Sequence, residues 1–332
     1  RLQGDWSSDV CSSDLPPSAA AAITTFAEQG VPWRVGKTAE GDAAILYALD
    51  GLRAGAEPYE LRHLRYRPSV TAQIEVNGAS RMGHFAIVSC KADEPAMTAH
   101  FLRLMGAILR HEDAVALPSQ FDDAIKVLIR MFRAMGRPAR ETVQGTWAEL
   151  ALIAWSRDAS DAVAAWHSLA GETVDFRSGV SRLEVKSTTR PYREHELSLD
   201  QLIVEPEGHT LLASLLLQED DEGTSIQDLV DRIQERLLLA TETERLVGIV
   251  AECLGSDWRQ AEHRRFDEAS ARASLRIYES HRVPSVVRDV PAQVSRVRFA
   301  SDLSGTPALE LSDARALTHF YDAVLPAEDS PR

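Results

Sequence analysis

Two periodicities alternate along this chain and together predict sheets joined to helices. Val70, Ala72, Ile74 and Val76 alternate with Thr71, Gln73 and Glu75, Asn77-Gly78 supplies a turn, and residues 84–90 return. A period of two sends successive side chains to opposite faces of a strand, so this stretch predicts a hairpin. Strands are also expected near residues 44–49 and 61–66, after an Ala-rich helix beginning beyond Pro16. Helical spacing then predicts helices over about 96–110 and 120–135. In the second, Phe121, Ile125, Leu128, Ile129 and Phe132 share a face, Ser119 with Asp122 stands at its start, and Gly136 then Pro138 end it.

Past a Gly-Arg-Pro break at 136–138, Thr146-Trp-Ala-Glu149 reads as a capping box opening a helix, with Trp147, Leu150, Ala151 and Ala154 on one side. A linker through Gly171 leads to strands around Asp175 and Glu184. A polar stretch follows to Glu196, then a turn or short helix at 198–202 and a buried strand at 210–217. Ser225 caps a helix with Ile226, Leu229, Val230, Ile233 and Leu237 at helical spacing, and another is expected over about 242–254. The C-terminal part predicts strands near 274–278, 294–299 and 308–311, then a helix with Leu317, Phe320, Tyr321 and Val324 on one face. The expected organisation is an α+β accessory domain over 16–140, a second domain over 141–325 and a loose tail over 326–332.

Composition changes this picture in three ways. Residues 1–15 repeat Ser-Ser-Asp in Trp6-Ser-Ser-Asp-Val and Cys11-Ser-Ser-Asp-Leu and resemble translated adaptor sequence, so they are expected to be a non-native leader. The longest strongly apolar run, residues 211–217, is far short of the roughly 20 residues needed to span a bilayer. The expectation is therefore a cytoplasmic protein without a membrane partner. Three scattered cysteines support neither a disulfide framework nor a zinc site. A net charge of -14 excludes indiscriminate nucleic-acid binding, which needs lysine and arginine to neutralise phosphates. Any such contact is a local basic patch; Lys126, Arg130 and Arg133, within about 60° of arc on one helix face, are one candidate, although a solvated charged face is the commoner explanation.

The candidate chemistry lies in Val174-Asp175-Phe176 and Leu183-Glu184-Val185-Lys186-Ser187. Alternation puts Glu184 and Lys186 on one strand face and Leu183 and Val185 on the other. If Asp175 ends the preceding strand, a short turn returns the chain so that its carboxylate stands beside Glu184, about 4.8 Å away across neighbouring strands. Two such carboxylates can share a hard cation at about 2.1 Å, the oxygen distance Mg²⁺ prefers. The lysine beside them can hold a water. Glu-x-Lys alone is close to a chance match; the surrounding order decides. No Gly-x-x-x-x-Gly-Lys phosphate loop occurs, and Glu194-His195-Glu196 has no partner at a recognised metal-ligand spacing.

That order is Gly145-Thr-Trp-Ala-Glu149-Leu150, Trp166, Asp175-Phe176, Leu183-Glu-Val-Lys-Ser-Thr188, His195 and Ser198-Leu-Asp-Gln201-Leu202. It resembles the PD-(D/E)xK nuclease superfamily, and closer still a bacterial family of that kind associated with restriction-like defence loci. Val283-Pro-Ser-Val-Val-Arg and Val290-Pro-Ala-Gln-Val resemble the family's C-terminal part; Ala148 replaces a glycine. The resemblance implies a restriction-endonuclease-like core, a mixed central sheet flanked by helices. It implies Asp175, Glu184 and the backbone carbonyl of Val185 as ligands for Mg²⁺ or Mn²⁺, and Lys186 as the residue that positions the attacking water. Glu149, Gln201 and His195 are the remaining candidate catalytic residues, and Arg177, Arg182, Arg190 and Arg193 are candidates for guiding phosphate. The implied activity is metal-dependent hydrolysis of DNA phosphodiesters in an anti-phage system, with a methyltransferase or ATPase among the partners and a homodimer left open. The alternative is a non-catalytic nucleic-acid-binding or scaffold subunit that keeps the nuclease fold.

Overall fold

The period-two stretch forms a long antiparallel hairpin. In this computed structural model, which describes residues 20–23, 32–51, 57–76, 79–93, 95–109, 117–167, 173–286, 290–291 and 293–327, the chain divides into two units, Arg1–Gly136 and Arg137–Arg332. The Asn77-Gly78 turn and residues 1–15 lie outside the described residues.

The first unit contains β1 (Ala20–Ile23), β2 (Trp33–Lys37), β3 (Ala43–Leu49), β4 (Tyr59–Glu60), β5 (Leu64–Val76), β6 (Ala79–Cys90), α1 (Pro95–Leu109) and α2 (Pro118–Met135). Its sheet runs β1-β2-β3-β6-β5-β4, and β1 also pairs with β5, so five strands close on themselves. The expected Ala-rich helix is therefore corrected at residues 20–23, which are strand. Alanine favours helix locally, but the open edges of β2 and β5 both gain a hydrogen-bonded partner here, and tertiary pairing overrides the propensity. Ala44, Leu46, Ala72, Ile74, Phe85 and Ile87 fill one face of the sheet. On the other face α2 lays Phe121 against Tyr47, ring centroids 5.1 Å apart. The α2 start also differs from expectation. Pro118 takes the first helical position, and Gln120 Oε1 accepts from Leu117 N at 2.7 Å; Asp122 instead accepts a hydrogen bond from the Tyr66 hydroxyl.

The second unit begins with α3 (Val143–Trp155) and α4 (Ala159–Ala165), followed by β7 (Phe176–Ser178), β8 (Ser181–Thr188), β9 (Glu194–Ser198), a 3₁₀ turn at Leu199–Leu202 and β10 (Thr210–Leu216). Then come β11 (Glu219–Ser225), α5 (Ile226–Gln234), α6 (Ala240–Leu254), α7 (Trp258–Ala261), β12 (Arg265–Phe266), α8 (Glu268–Ser274), β13 (Arg276–Glu279), β14 (Arg298–Asp302), α9 (Leu311–Ala316) and α10 (His319–Val324). Its main sheet has the order β13-β10-β8-β7, with β8 parallel to β10 and the other pairs antiparallel: the expected mixed central sheet flanked by helices. β9 and β14 form a separate ribbon. Leu197 of that ribbon packs with Leu212 of β10 and Tyr278 of β13, so the ribbon covers the face to which Glu184, the register partner of Leu212, belongs.

Several C-terminal expectations shift. The strand expected at 294–299 lies at Arg298–Asp302, the one at 308–311 is a single bridge between Leu309 and Ile277, and the last helix is two short ones, with Thr318 capping α10. The polar stretch after Thr188 contains β9, and the acidic run Glu219–Ser225 is also strand. Neither shows alternation in the sequence, because each is held by a partner 40 or more residues away in the chain.

Candidate metal centre

Helix α3 is buried almost all round, from Val143 to Trp155, rather than on one side. Its cap is Thr142, whose hydroxyl accepts from Gly145 N at 3.0 Å. The expected capping box of Thr146 with Glu149 is thus corrected: the helix starts one turn earlier, and Glu149 lies inside it, 2% exposed, with no helix terminus to satisfy. Its Oε2 accepts hydrogen bonds from Trp166 Nε1 at 2.7 Å and His167 Nε2 at 3.0 Å.

The chain brings the next acid alongside through a short antiparallel contact. Trp166 pairs with Phe176, and His167 N donates to the Asp175 carbonyl at 2.8 Å. Asp175 precedes β7 rather than ending a strand. Gly179, at φ +58°, makes the turn into β8, and Phe176 pairs with Leu183, so Asp175 stands across from Glu184 as the spacing argument required. Because β7 stops short there, the Val185 amide is free to donate to Asp175 Oδ2 at 2.7 Å. A strand residue turns its N–H and C=O to the same edge, which directs the Val185 carbonyl to this side too.

Glu184 Oε1 meets Lys186 Nζ at 2.7 Å and accepts from Gln201 Nε2. Gln201 also takes the Ser198 amide on its Oε1 at 2.8 Å, so one side chain caps the 3₁₀ turn and steadies the acid. The second oxygen, Glu184 Oε2, is buried without a hydrogen-bond partner. Three carboxylates, Glu149, Asp175 and Glu184, are 2%, 9% and 1% exposed; Lys186 and His167 stand near to balance them, while Glu141 adds further negative charge. Buried unbalanced charge is strongly unfavourable, and the groups respond. Burial, then the charges of Glu184 and Glu149, push Asp175 well above the usual carboxylate range. Burial pushes Glu184 to about 7 against the pull of Lys186. For Lys186 burial acts downward, but Glu184 and Asp175 raise it on balance. His167 is likewise raised, its burial outweighed by Glu149. An orphaned carboxylate oxygen beside oxygen donors and surplus negative charge fits a divalent cation. One group of ligand atoms, from Glu149, His167 and Asp175, lies within 4.8 Å of one another.

These side chains line a cleft of about 840 Å³, whose rim carries Arg140, Arg190, Arg264 and Arg298. Of the arginines expected to guide phosphate, two prove structural. Arg182 is 5% exposed and donates to the carbonyls of Ile203 and Asp200 and to Thr173. Arg193 donates to the Ser214 carbonyl and hydroxyl and to the Ser274 carbonyl. Arg177 pairs with Glu205 at 2.8 Å, while exposed Arg190 pairs with Glu194 at 2.5 Å on the rim. Lys126, Arg130 and Arg133 are exposed on α2 of the other unit; Lys126 pairs with Asp123, and Arg133 lies over the Tyr59 ring.

His195 stands on β9 rather than in a loop, 4% exposed, its Nε2 2.7 Å from Ser214 Oγ. Arg193 donates to the same hydroxyl, so Ser214 ties the histidine to the arginine. Burial, with Lys186 and Arg193 nearby, lowers His195 to about 4. That is a poor group for moving protons near neutrality.

Sequence reasoning missed His167 and the rim arginines 140, 264 and 298. The Trp166-His167 pair was a readable signal; the arginines come from distant segments that only the fold assembles.

The family described as "Putative PD-(D/E)XK family member, (DUF4420)" has a model that matches residues 16–304. No curated protein and no solved structure matches the chain. Among the described residues no helix is long and apolar enough to cross a membrane.

Proposed function

The chain belongs to this PD-(D/E)XK family, and from that premise we propose that it is a Mg²⁺- or Mn²⁺-dependent endonuclease that hydrolyses DNA phosphodiesters in a restriction-like anti-phage system. The observation that carries the reading is the buried Glu184 paired with Lys186, with Asp175 across the strand edge and one carboxylate oxygen left without a partner. Asp175, Glu184 and the Val185 carbonyl would hold the cation, which when bound supplies charge stabilisation to a phosphodiester and acidifies water.

The chain's own groups do the rest. Lys186 keeps its proton and presents its ammonium at the cleft, 23% exposed, where it orients the attacking water and steadies charge developing on the phosphate. Gln201 fixes the Glu184 carboxylate, so that it does not have to reorganise during reaction. Trp166 and His167 fix that of Glu149. Rim arginines draw in the nucleic-acid backbone, which an acidic protein achieves only through a local patch.

The test is incubation with double- and single-stranded DNA and with RNA in Mn²⁺, using Lys186→Ala as the control. DNA cleavage by the wild type alone is expected. Equal metal-dependent cleavage by Lys186→Ala and Asp175→Ala would refute the mechanism.

A further inference from the structure

Resting on the reading of this cleft as a nuclease site, we propose that its substrate is single-stranded DNA, laid along β9 with one base stacked on Tyr192 and its backbone held by Arg190 at one end and Arg298 at the other.

One strand draws the path. All the residues of β9, Glu194–Ser198, line the cleft, a run of about 13 Å at ~3.3 Å per residue. Arg190 stands in the loop that enters β9, and Arg298 is the register partner of Ser198 at its far end, so the two rim arginines mark opposite ends of the path. The rim is sparing with positive charge. Arg140 and Arg264 are paired with Glu252 and Glu219, and Arg190 gives one nitrogen to Glu194, whereas among the described residues the Arg298 guanidinium has no carboxylate partner. A duplex carries one negative charge per ~1.7 Å of its axis and a single strand about half of that density. So few uncommitted cations in a chain of net charge -14 match the single strand better.

Tyr192 is an independent observation. It lies in the loop 189–193 that joins β8 to β9, flanked by the cleft residues Arg190 and Glu194, and it is 46% exposed. The Arg190 guanidinium lies over its ring, 5.9 Å from the centroid. Pro191 restrains the backbone between them. Among the described residues the Tyr192 hydroxyl has no hydrogen-bond partner, so the ring is not anchored by its polar end. An exposed ring with an arginine beside it is a platform for an unpaired base of any kind, since every base has a π face. Bases in a duplex are stacked on one another and turn only their edges to the grooves, so they offer Tyr192 nothing to hold.

Access points the same way. The β9–β14 ribbon covers the sheet face to which Glu184 belongs, and Asp175 and Glu184 are nearly closed to solvent. A flexible chain one strand thick reaches them under the ribbon, where a stiff double helix does not.

The test reads binding in EDTA, without turnover. Fluorescence anisotropy follows a labelled oligodeoxythymidine and its duplex with oligodeoxyadenosine on wild type, Tyr192→Ala, Tyr192→Phe and Arg298→Gln, with circular dichroism to show that each is folded. A strand carrying a fluorescent purine reports stacking by its quenching. Wild type should bind the single strand at least about tenfold more tightly than the duplex. Tyr192→Ala should weaken single-strand binding by about five- to a hundredfold and abolish the quenching, whereas Tyr192→Phe, which keeps the ring face, should stay within about twofold of wild type. Arg298→Gln should keep the quenching and lower the slope of log affinity against log salt by about 0.7. Duplex binding as tight as single-strand binding, or a Tyr192→Ala variant that binds and quenches as wild type does, overturns the proposal. A quenched strand on a protein that cleaves nothing upholds the path while the nuclease reading fails, and duplex cleavage without single-strand preference does the reverse.

Discussion

Two buried polar clusters lie on neighbouring positions of the same sheet, and they are solved in opposite ways. Lys186 of β8 is the register partner of Ser214 of β10. Around Ser214 the polar groups answer one another: Arg193 donates to its carbonyl and hydroxyl, and the hydroxyl shares a hydrogen bond with His195. Around Lys186 three buried carboxylates crowd one lysine and one histidine, and Glu184 Oε2 is left over. A closed network holds the β9 ribbon to the sheet, and the open one leaves a buried carboxylate oxygen without a partner. Both contain a histidine and basic residues that look alike in sequence. Only the accounting of donors and acceptors tells them apart.

The largest effect should come from breaking the open cluster chemically. Lys186→Ala and Asp175→Asn should each lower DNA cleavage by about a hundred- to a thousand-fold or more while the circular dichroism spectrum stays native. The closed cluster should respond in stability instead. Arg193→Ala removes the donor from three acceptors in a partly buried setting and should destabilise by about 2–4 kcal/mol in urea titration, with the metal affinity of the remaining folded protein little changed.

The acid response carries opposite signs in the two clusters. Glu184, raised from 4.5 to about 7, keeps in the folded metal-free protein a proton that the unfolded chain has lost, so its contribution is fully present below pH 4.5 and is lost as pH rises through about 7. His195, lowered from 6.5 to about 4, contributes stability above 6.5 that is lost as pH falls through about 4. Metal-free Glu184→Gln should therefore flatten the alkaline decline, by at most about 3 kcal/mol, and His195→Asn should soften the acid limb by at most a similar amount. Thermal melts across pH 4–9 check both.

The sequence made the β8 alternation, the Asp175-to-Glu184 spacing, the Gln201 turn and α2 legible, because each is set by neighbours in the chain. Glu149 was visible but its role was ambiguous, since Thr146-x-x-Glu149 also spells a cap; finding the true cap at Thr142 removes that ambiguity. The strand at Ala20–Ile23, the β9–β14 ribbon and the place of His167 beside Asp175 were not legible. All three are fixed by pairing with segments that come together only in the fold.

The most direct test of the central claim is isothermal titration of the folded, metal-free wild type with Mn²⁺ at pH 6 and pH 8, in buffers of different ionisation enthalpy. If the open cluster is a cation site whose acids hold protons near neutrality, binding should be tighter at pH 8 and release protons at pH 6. A folded protein that takes up no Mn²⁺ or Mg²⁺ at either pH would contradict the account and favour the non-catalytic scaffold.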